Sequence, residues 1–389
     1  MNESRPLRHP AEKETNLADV AQQYDRVALV LQGGGALGAY QAGVYEALAR
    51  AQCEPNWISG VSIGAINSAL IAGNPPEKRI ERLKAFWNTV SGRTIWAYTP
   101  EGDLYRQLRN QTSAMVAILF GQPGFFTPRT PNPWLVPAGA PGATSFYDSA
   151  PLKATLEKLV DFDLLNNGRK RFSVGAVNLQ TGNFVYFDNQ KQRIGPEHIM
   201  ASGALPPALP PIKIEGEYYW DGGIVSNTPL QYLLDQEEEL SSLVFQVDLF
   251  SSRGGLPRSM PDVLSRHKEI MFSSRTRYVT DSFRRTFALK AKLLEALKRL
   301  PADQLTPDEA AFLKDYKHAG VANIVQIVYQ HKTYEGEAAD YEFSGTSMKE
   351  HWAQGYEDTM RTLRHPEWLT LPAAQAAVAT HDFHYEDPT

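Results

Sequence analysis

The sequence predicts an α/β fold with a mostly parallel central sheet and helices on its faces. Residues 26–31 form a short apolar run that ends at glycine, which is typical of a buried strand, and a glycine-rich turn and a helix over 39–50 follow. A second short strand at 57–58 leads through Gly60 into another helix, over 63–72. Repeated strand–turn–helix units favour parallel pairing, because each helix returns the chain to the same end of the sheet.

Later segments continue this pattern and become more helical towards the C-terminus. Apolar spacing and turn residues predict helices over 76–90, 150–160 and 348–363, a hairpin of 171–179 and 183–188, strands at 218–220, 243–250 and 321–329, and mostly helical structure over about 260–319. Residues 121–145 contain six prolines together with aromatic side chains, so we expect a long irregular loop there.

The composition bounds the class of protein. A chain of 389 residues is long enough for one large domain with an extension, and its net charge of −5 argues against a nucleic-acid partner. Cys53 is the only cysteine, which excludes an intramolecular disulfide and a cysteine-rich metal site. Carboxylates such as Asp161 and Asp163 are too scattered to form a calcium loop. We therefore expect neither a metal nor a cofactor.

The apolar segments also bear on location. Residues 1–14 lack the apolar stretch of a secretory signal, and no apolar run approaches the roughly 20 residues that span a bilayer. We expect a cytoplasmic protein, and peripheral contact with a membrane stays an open alternative. The predicted organisation is a flexible leader over 1–24, a main α/β domain over 25–235, and a helical extension over 236–389 that adds the strand 321–329 to the same body.

The first motif with chemical meaning is Gly60-Val61-Ser62-Ile63-Gly64, between a predicted strand and a predicted helix. A G-x-S-x-G sequence in this setting forms a sharp turn, for which glycine removes the Cβ atoms that would clash. Ser62 is left exposed at the helix N-terminus, where free N–H groups favour developing negative charge. The alternative is a structural turn with a passive serine.

The second motif is the glycine turn Gly33-Gly34-Gly35-Ala36-Leu37-Gly38. It also fits the dinucleotide-binding pattern, which wants an acidic residue at the end of the second strand. Here that strand runs into Gly60 and Ser62 instead, and Glu54 precedes it. We therefore interpret the turn as an oxyanion hole, in which backbone N–H groups hold negative charge.

The third motif is Asp221-Gly222-Gly223, after the predicted strand at 218–220. An aspartate at a strand end, with glycines freeing the next turn, can reach a neighbouring loop. Asp-Gly is also a common turn, so Asp221 gains meaning only from the serine and the glycine turn before it. The histidines at 267, 318, 331, 351, 365, 381 and 384 lie in no telling context, and we expect them to be structural.

These three motifs, in this order, resemble the patatin-like phospholipase family over about residues 26–230. The resemblance extends to Ala201-Ser202-Gly203-Ala204 and to the prolines before Asp221. It implies a three-layer α/β/α sandwich, and residues beyond about 250 resemble the C-terminal extension of a bacterial branch. One position departs: the family usually has Arg or Lys where this chain has Leu37, which puts headgroup preference in question but leaves the backbone donors in place.

The resemblance implies a serine acyl hydrolase acting on lipid esters. Ser62 would be the nucleophile, and Asp221 would activate it as general base without a histidine. The oxyanion would bind to the turn of Gly33, Gly34, Gly35, Ala36 and Gly38, with Gly60, Gly64, Gly222 and Gly223 shaping the turns around the dyad. The expected activity is of the phospholipase A or lysophospholipase type.

Three other readings stay open at this point. One is a non-catalytic lipid-binding module of the same fold, and the others are a thioesterase and a depolymerase of intracellular polyesters. The segment 275–300 is rich in Lys and Arg with leucines between them, as in a basic amphipathic helix on an anionic membrane, although we favour a packed helix with a solvated basic face.

Overall fold

The computed structural model describes residues 17–91, 102–236, 240–315, 321–332, 334–336, 338–372 and 378–383. The strands within these ranges are β1 (Arg26–Leu31), β2 (Trp57–Gly60), β3 (Thr127–Pro128), β4 (Tyr147–Asp148), β5 (Arg171–Asn178), β6 (Phe184–Asp188), β7 (Ile212–Ile214), β8 (Glu217–Asp221), β9 (Ser242–Asp248), β10 (Ala322–Val328) and β11 (Val378–Asp382). The α-helices there are α1 (Leu17–Ala21), α2 (Ala39–Arg50), α3 (Ile63–Ala72), α4 (Pro76–Val90), α5 (Asp103–Phe120), α6 (Ala150–Leu159), α7 (Phe162–Asn167), α8 (Pro196–Ser202), α9 (Leu230–Leu234), α10 (Met260–Phe272), α11 (Thr276–Leu297), α12 (Pro307–Asp315) and α13 (Gly345–Thr362).

One mixed sheet organises the chain. Its strand order is β11-β10-β9-β1-β2-β5-β8-β7, and β6 pairs with β5. The run from β11 to β5 is parallel throughout, whereas β6, β7 and β8 are antiparallel to their neighbours. The carboxyl ends of β1 and β2 therefore lie side by side, which brings the glycine turn after β1 next to Ser62 after β2.

Both faces of the sheet are buried. In β1, Val27, Leu29 and Leu31 join one apolar cluster together with α2 and α3, while Ala28 and Val30 join a second cluster together with α9 and part of α11. Alternation between two buried faces explains why β1 is apolar without a polar period. The result is the expected three-layer α/β/α arrangement, so the predicted fold class is confirmed.

The C-terminal residues are part of the same body. β10 adds to β9, which itself pairs with β1, and helix α13 lies across α2. The two helices approach closely at two glycines: a Cβ on Gly43 would lie 1.9 Å from the carbonyl oxygen of Trp352, and one on Gly355 would lie 2.0 Å from that of Tyr40. Glycine permits this contact because it has no side chain to separate the backbones.

Several segments differ from the sequence interpretation. Helix α5 was not predicted, because its exposed apolar side chains break the expected pattern. The tail beyond Pro372 contributes β11, which pairs with β10. Residues 1–16 of the predicted leader lie outside the described residues, whereas 17–21 form α1, with Val20 and Tyr24 buried.

Gly43→Ala tests the close contact of α2 and α13. Alanine has the higher helix propensity by about 1 kcal/mol, but its methyl group would meet the Trp352 carbonyl. We expect a loss of about 1–3 kcal/mol in the free energy of unfolding, as for other overpacked sites, measured by chemical denaturation. Gly255→Ala is the matched control, because a Cβ there meets no atom within 4 Å. Equal stability of the two variants would contradict the contact.

Candidate active site

Ser62 occupies a strained corner between β2 and α3. Its backbone has φ 57° and ψ −124°, a conformation that L-residues rarely adopt. The Ser62 amide donates to the carbonyl oxygen of Ser202 at 3.1 Å and to its Oγ at 3.0 Å. Strain of this kind costs about 1–3 kcal/mol and clusters at functional sites, because the surrounding structure must hold it in place.

The flanking glycines are required by close backbone contacts. A Cβ on Gly60 would lie 2.3 Å from the carbonyl carbon of Gly64, and one on Gly64 would lie 2.3 Å from the carbonyl oxygen of Leu31. A larger residue at Gly64 would push the corner away from β1, and one at Gly60 would push the start of α3 away from β2. The G-x-S-x-G spacing therefore has a direct steric cause in this structure.

Asp221 ends β8 and is 2% exposed. Its Oδ1 accepts a hydrogen bond from the Gly223 amide at 2.7 Å, and the Ser62 side chain lines the same cavity, near enough to lower the pKa of the carboxyl group. The two side chains, 159 positions apart in the sequence, thus meet. Gly222 packs against the Gly175 carbonyl, and Gly223 lies between Asp221 and Asn227.

Burial raises the pKa of Asp221 to about 7. Desolvation is the largest cause, because the charged carboxylate loses its hydration, and the hydrogen bonds from Gly223 and Ser62 lower the pKa in part. A carboxyl group with a pKa near neutrality is suited to take and return a proton.

The glycine turn faces Ser62. Gly33, Gly34 and Gly35 line the same cavity as Ser62 and Asp221, while Ala36 and Gly38 do not. The Gly33 amide donates to the carbonyl oxygen of Asn227 at 3.2 Å, whereas Gly34 and Gly35 stand at the start of a 3₁₀ turn, where amides have no intrahelical acceptor. These two amides are the donors that the cavity offers to an anion.

Asn227 holds the glycine turn in place. Its Nδ2 donates to the carbonyl oxygens of Gly33, at 3.0 Å, and Phe272, at 2.9 Å. The sequence analysis missed this residue, which lies six positions after Asp221 without a recognisable motif. Its two-way bond with Gly33 links the turn after β1 to the loop after β8.

The cavity is apolar and opens to solvent, with an empty volume of about 860 Å³. That volume includes the solvent-filled space at the mouth. The apolar residues that line it include Ile118, Phe126, Leu205, Leu209, Phe250, Phe272 and Phe343. Such walls fit an acyl chain.

The C-terminal extension supplies part of this cavity. Asp340, Tyr341 and Phe343 line it, and the Asp340 carbonyl oxygen would lie 2.2 Å from a Cβ on Gly35, which has φ 55°. The Asp340 carboxylate pairs with Lys268 at 2.5 Å. The extension therefore packs directly against the glycine turn, a contact for which the sequence gives no signal.

Two further positions bear on the expectations. Leu37 is fully buried in the apolar core and does not line the cavity, so a basic residue there would be buried without solvent.

None of the described residues that line the cavity is a histidine. His331 stacks on Phe250, and its Nε2 lies 3.2 Å from the Leu249 carbonyl oxygen, while His318 and His384 lie outside the described residues.

Among the described residues, no three His, Cys, Asp or Glu side chains are grouped to hold a metal ion. Every helix in the same ranges is too short or too polar to cross a bilayer.

Comparison with known proteins identifies the family. A model for patatin-like phospholipases matches residues 29–234, more than half of the chain, and a second model, described as patatin phospholipase, matches 270–375. The protein therefore belongs to the patatin-like phospholipase family, and both the resemblance and the placement of its C-terminal extension are confirmed. This membership supports a lipid hydrolase.

Two solved structures resemble the fold distantly. VipD from Legionella pneumophila matches with 15% identity and a TM-score of 0.38, over 87% of this chain and 67% of its own. Human GIVD cytosolic phospholipase A2 matches with 12% identity and a TM-score of 0.44, over 93% of this chain and 63% of its own. This chain spans about two thirds of the length of each, and both scores are too low to carry an argument. No curated protein matches the sequence.

The raised pKa of Asp221 predicts a pH-dependent stability difference. An unfolded aspartate titrates near 4, so between pH 4 and 7 the folded state holds a proton that the unfolded state releases. Wild type thus loses stability as the pH rises to about 7, whereas Asp221→Asn does not titrate. We expect the stability of Asp221→Asn relative to wild type to increase from pH 5 to pH 7 and then level off, as measured by denaturant unfolding. Ser62→Ala, which keeps the carboxyl group, should retain the wild-type pH dependence. A pH-independent difference for Asp221→Asn would contradict the burial effect.

Proposed function

We propose that the protein is a serine acyl hydrolase that cleaves carboxylic esters of lipids, of the phospholipase A or lysophospholipase type. One observation carries the proposal: the Ser62 side chain, on a strained helix-start corner, faces the buried Asp221 carboxylate beside the amides of Gly34 and Gly35 at the start of the 3₁₀ turn. All four residues open on one apolar cavity.

The first step is acylation. Ser62 Oγ attacks the ester carbonyl carbon while Asp221 takes the hydroxyl proton, and the carbonyl oxygen becomes an oxyanion. The Gly34 and Gly35 amides stabilise this charge, and the loss of one such donor typically costs about 10²–10³ in rate. The intermediate collapses as the C–O bond to the alcohol breaks, and Asp221 returns the proton to the leaving oxygen.

The second step is deacylation. A water molecule gives a proton to Asp221 and attacks the acyl carbon from the position that the alcohol left. The second tetrahedral oxyanion rests on the same two amides. Its collapse releases the fatty acid, and the proton on Asp221 returns to Ser62 Oγ, which restores the enzyme.

Substitution of the dyad tests the assignment. We expect Ser62→Ala and Asp221→Asn each to lower the hydrolysis of a p-nitrophenyl acyl ester by at least about 10³-fold, because nucleophile and base act as one unit. Fluorophosphonate should label wild type at Ser62. Two buried residues away from the cavity serve as controls. Ser68→Ala removes a hydroxyl on the same helix that has no described partner, and Asp248→Asn replaces another buried aspartate with a raised pKa. Both should retain activity.

The outcomes separate the alternatives. A wild type that binds lipid but neither hydrolyses esters nor takes the label would be a lipid-binding module. Activity retained in Ser62→Ala would contradict the dyad. Among active outcomes, comparison of phospholipids, acyl thioesters and polyester granules distinguishes a phospholipase from a thioesterase or a depolymerase.

The pH profile tests the role of Asp221. A general base must be ionised, and the Asp221 pKa is raised to about 7. We therefore expect kcat/KM for a soluble ester to rise with pH and to level off above an inflection near 7, where the free enzyme loses this proton. The measurement is kcat/KM from pH 5 to 9 at constant ionic strength. An inflection near 4, the value of an exposed aspartate, would show that the base is a solvated carboxylate and not Asp221 in this environment.

A further inference from the structure

Helix α5 has an apolar face that no described residue covers. It buries Asn110, Ala114 and Ala117, which recur at helical spacing along one side. Opposite them the helix exposes large apolar side chains, here called the α5 face: Leu108, Met115, Ile118, Leu119 and Phe120, which are 51–62% exposed. Leu108, Met115 and Leu119 follow one side of the helix, with Ile118 and Phe120 on its two flanks, and exposed apolar surface of this kind marks an interaction site.

Between Asp103, the first residue of α5, and Asp148, the chain around the α5 face carries no negative charge. Residues 104–147 include three arginines, at 106, 109 and 129, and not one Asp or Glu, although the whole chain has a net charge of −5. Two carboxylates from flanking segments approach these arginines, Glu350 at 3.8 Å from Arg106 and Asp148 at 3.9 Å from Arg129. Pairs this long and exposed contribute little, so the segment suits a surface of phosphate headgroups.

The α5 face is continuous with the mouth of the cavity. Ile118 is half exposed and also lines the cavity, together with Ala117, the residue before it. Tyr147, another lining residue, donates its hydroxyl to the Ile118 carbonyl oxygen at 2.7 Å. An acyl chain that leaves a bilayer at this face would therefore reach Ser62 along apolar side chains without crossing water.

The basic segment 275–300 lacks this continuity. Most of it is α11, which buries Thr280, Phe287, Leu294 and Leu297 against its own neighbours. None of the described side chains of this segment lines the cavity that contains Ser62. Charge alone would hold this helix to an anionic surface without presenting the cavity to lipid.

We propose that the α5 face docks the protein on a phospholipid bilayer, with α5 lying in the interface and the cavity mouth turned towards the acyl chains. The proposal rests on the lipid-ester hydrolase function proposed above. Helices that bind in this way bury one apolar side at the headgroup boundary, and their affinity scales with the apolar area buried.

The test measures vesicle binding in the Ser62→Ala background, so that binding does not depend on turnover. Met115→Asp/Leu119→Asp changes two α5-face residues that do not line the cavity. The matched control is Leu289→Asp/Leu293→Asp on α11, where the leucines are 70% and 44% exposed. Binding to phosphatidylcholine vesicles, with and without phosphatidylglycerol, is measured by flotation. We expect the α5 variant to lose at least about tenfold in affinity, since burial of one large apolar side chain contributes about that factor, and the α11 variant to bind normally.

Other results would overturn the proposal: no vesicle binding by the Ser62→Ala protein, equal binding by both double variants, or loss only in the α11 variant. A change of oligomeric state in the α5 variant with unchanged vesicle binding would instead identify a contact between copies. With Ser62 restored, both double variants should hydrolyse soluble p-nitrophenyl butyrate like wild type, and only the α5 variant should show a raised KM on vesicles. Failure of wild type on the soluble ester would refute the proposed function, whereas flotation still decides the docking surface.

Discussion

The backbone corner at Ser62 is the constraint on which the site depends. Its positive φ costs free energy that a loop alone could not sustain. The parallel pairing of β1 and β2 fixes both ends of the corner, and Gly64 lets it approach the Leu31 carbonyl. The bifurcated bond from the Ser62 amide to Ser202 closes it from the other side. The sheet thus holds an alcohol in one orientation, beside amides that the neighbouring strand positions.

Burial of Asp221 raises the proton affinity that the proposed reaction needs, and the same desolvation lowers the stability of the folded protein. Desolvation raises the proton affinity of the carboxylate, which an exposed aspartate would lack at neutral pH. The same desolvation penalises the ionised form in the folded state. The bonds from Gly223 and Ser62 offset part of this penalty. A residue kept buried at such a cost, and facing a strained serine, is more consistent with a working site than with a turn cap, although Asp221 also caps the turn that follows it.

The sequence predicted the parts of the molecule that local rules determine. The apolar run of β1, the glycine turn and the Ser62 corner were predicted from residue type and spacing, and so was the fold class. Helix α5 was not predicted, because its exposed apolar residues do not follow the pattern of a helix that packs one apolar side on a core. Asn227 and Asp340 were missed for another reason: their contacts with Gly33 and Gly35 depend on tertiary packing across about 190 and 300 positions, which a single sequence does not encode locally.

The C-terminal extension explains why the glycine turn is rigid without side chains of its own. Gly35 adopts a left-handed conformation directly beneath the Asp340 carbonyl, and Lys268 on α10 anchors the Asp340 carboxylate. Asn227 ties Gly33 to Phe272 at the end of the same helix. The residues after β9 therefore restrain the turn that precedes α2. An amide cradle preorganised in this way requires no rearrangement when negative charge develops. The turn, the cavity wall and the serine are thus held together by residues on both sides of β9.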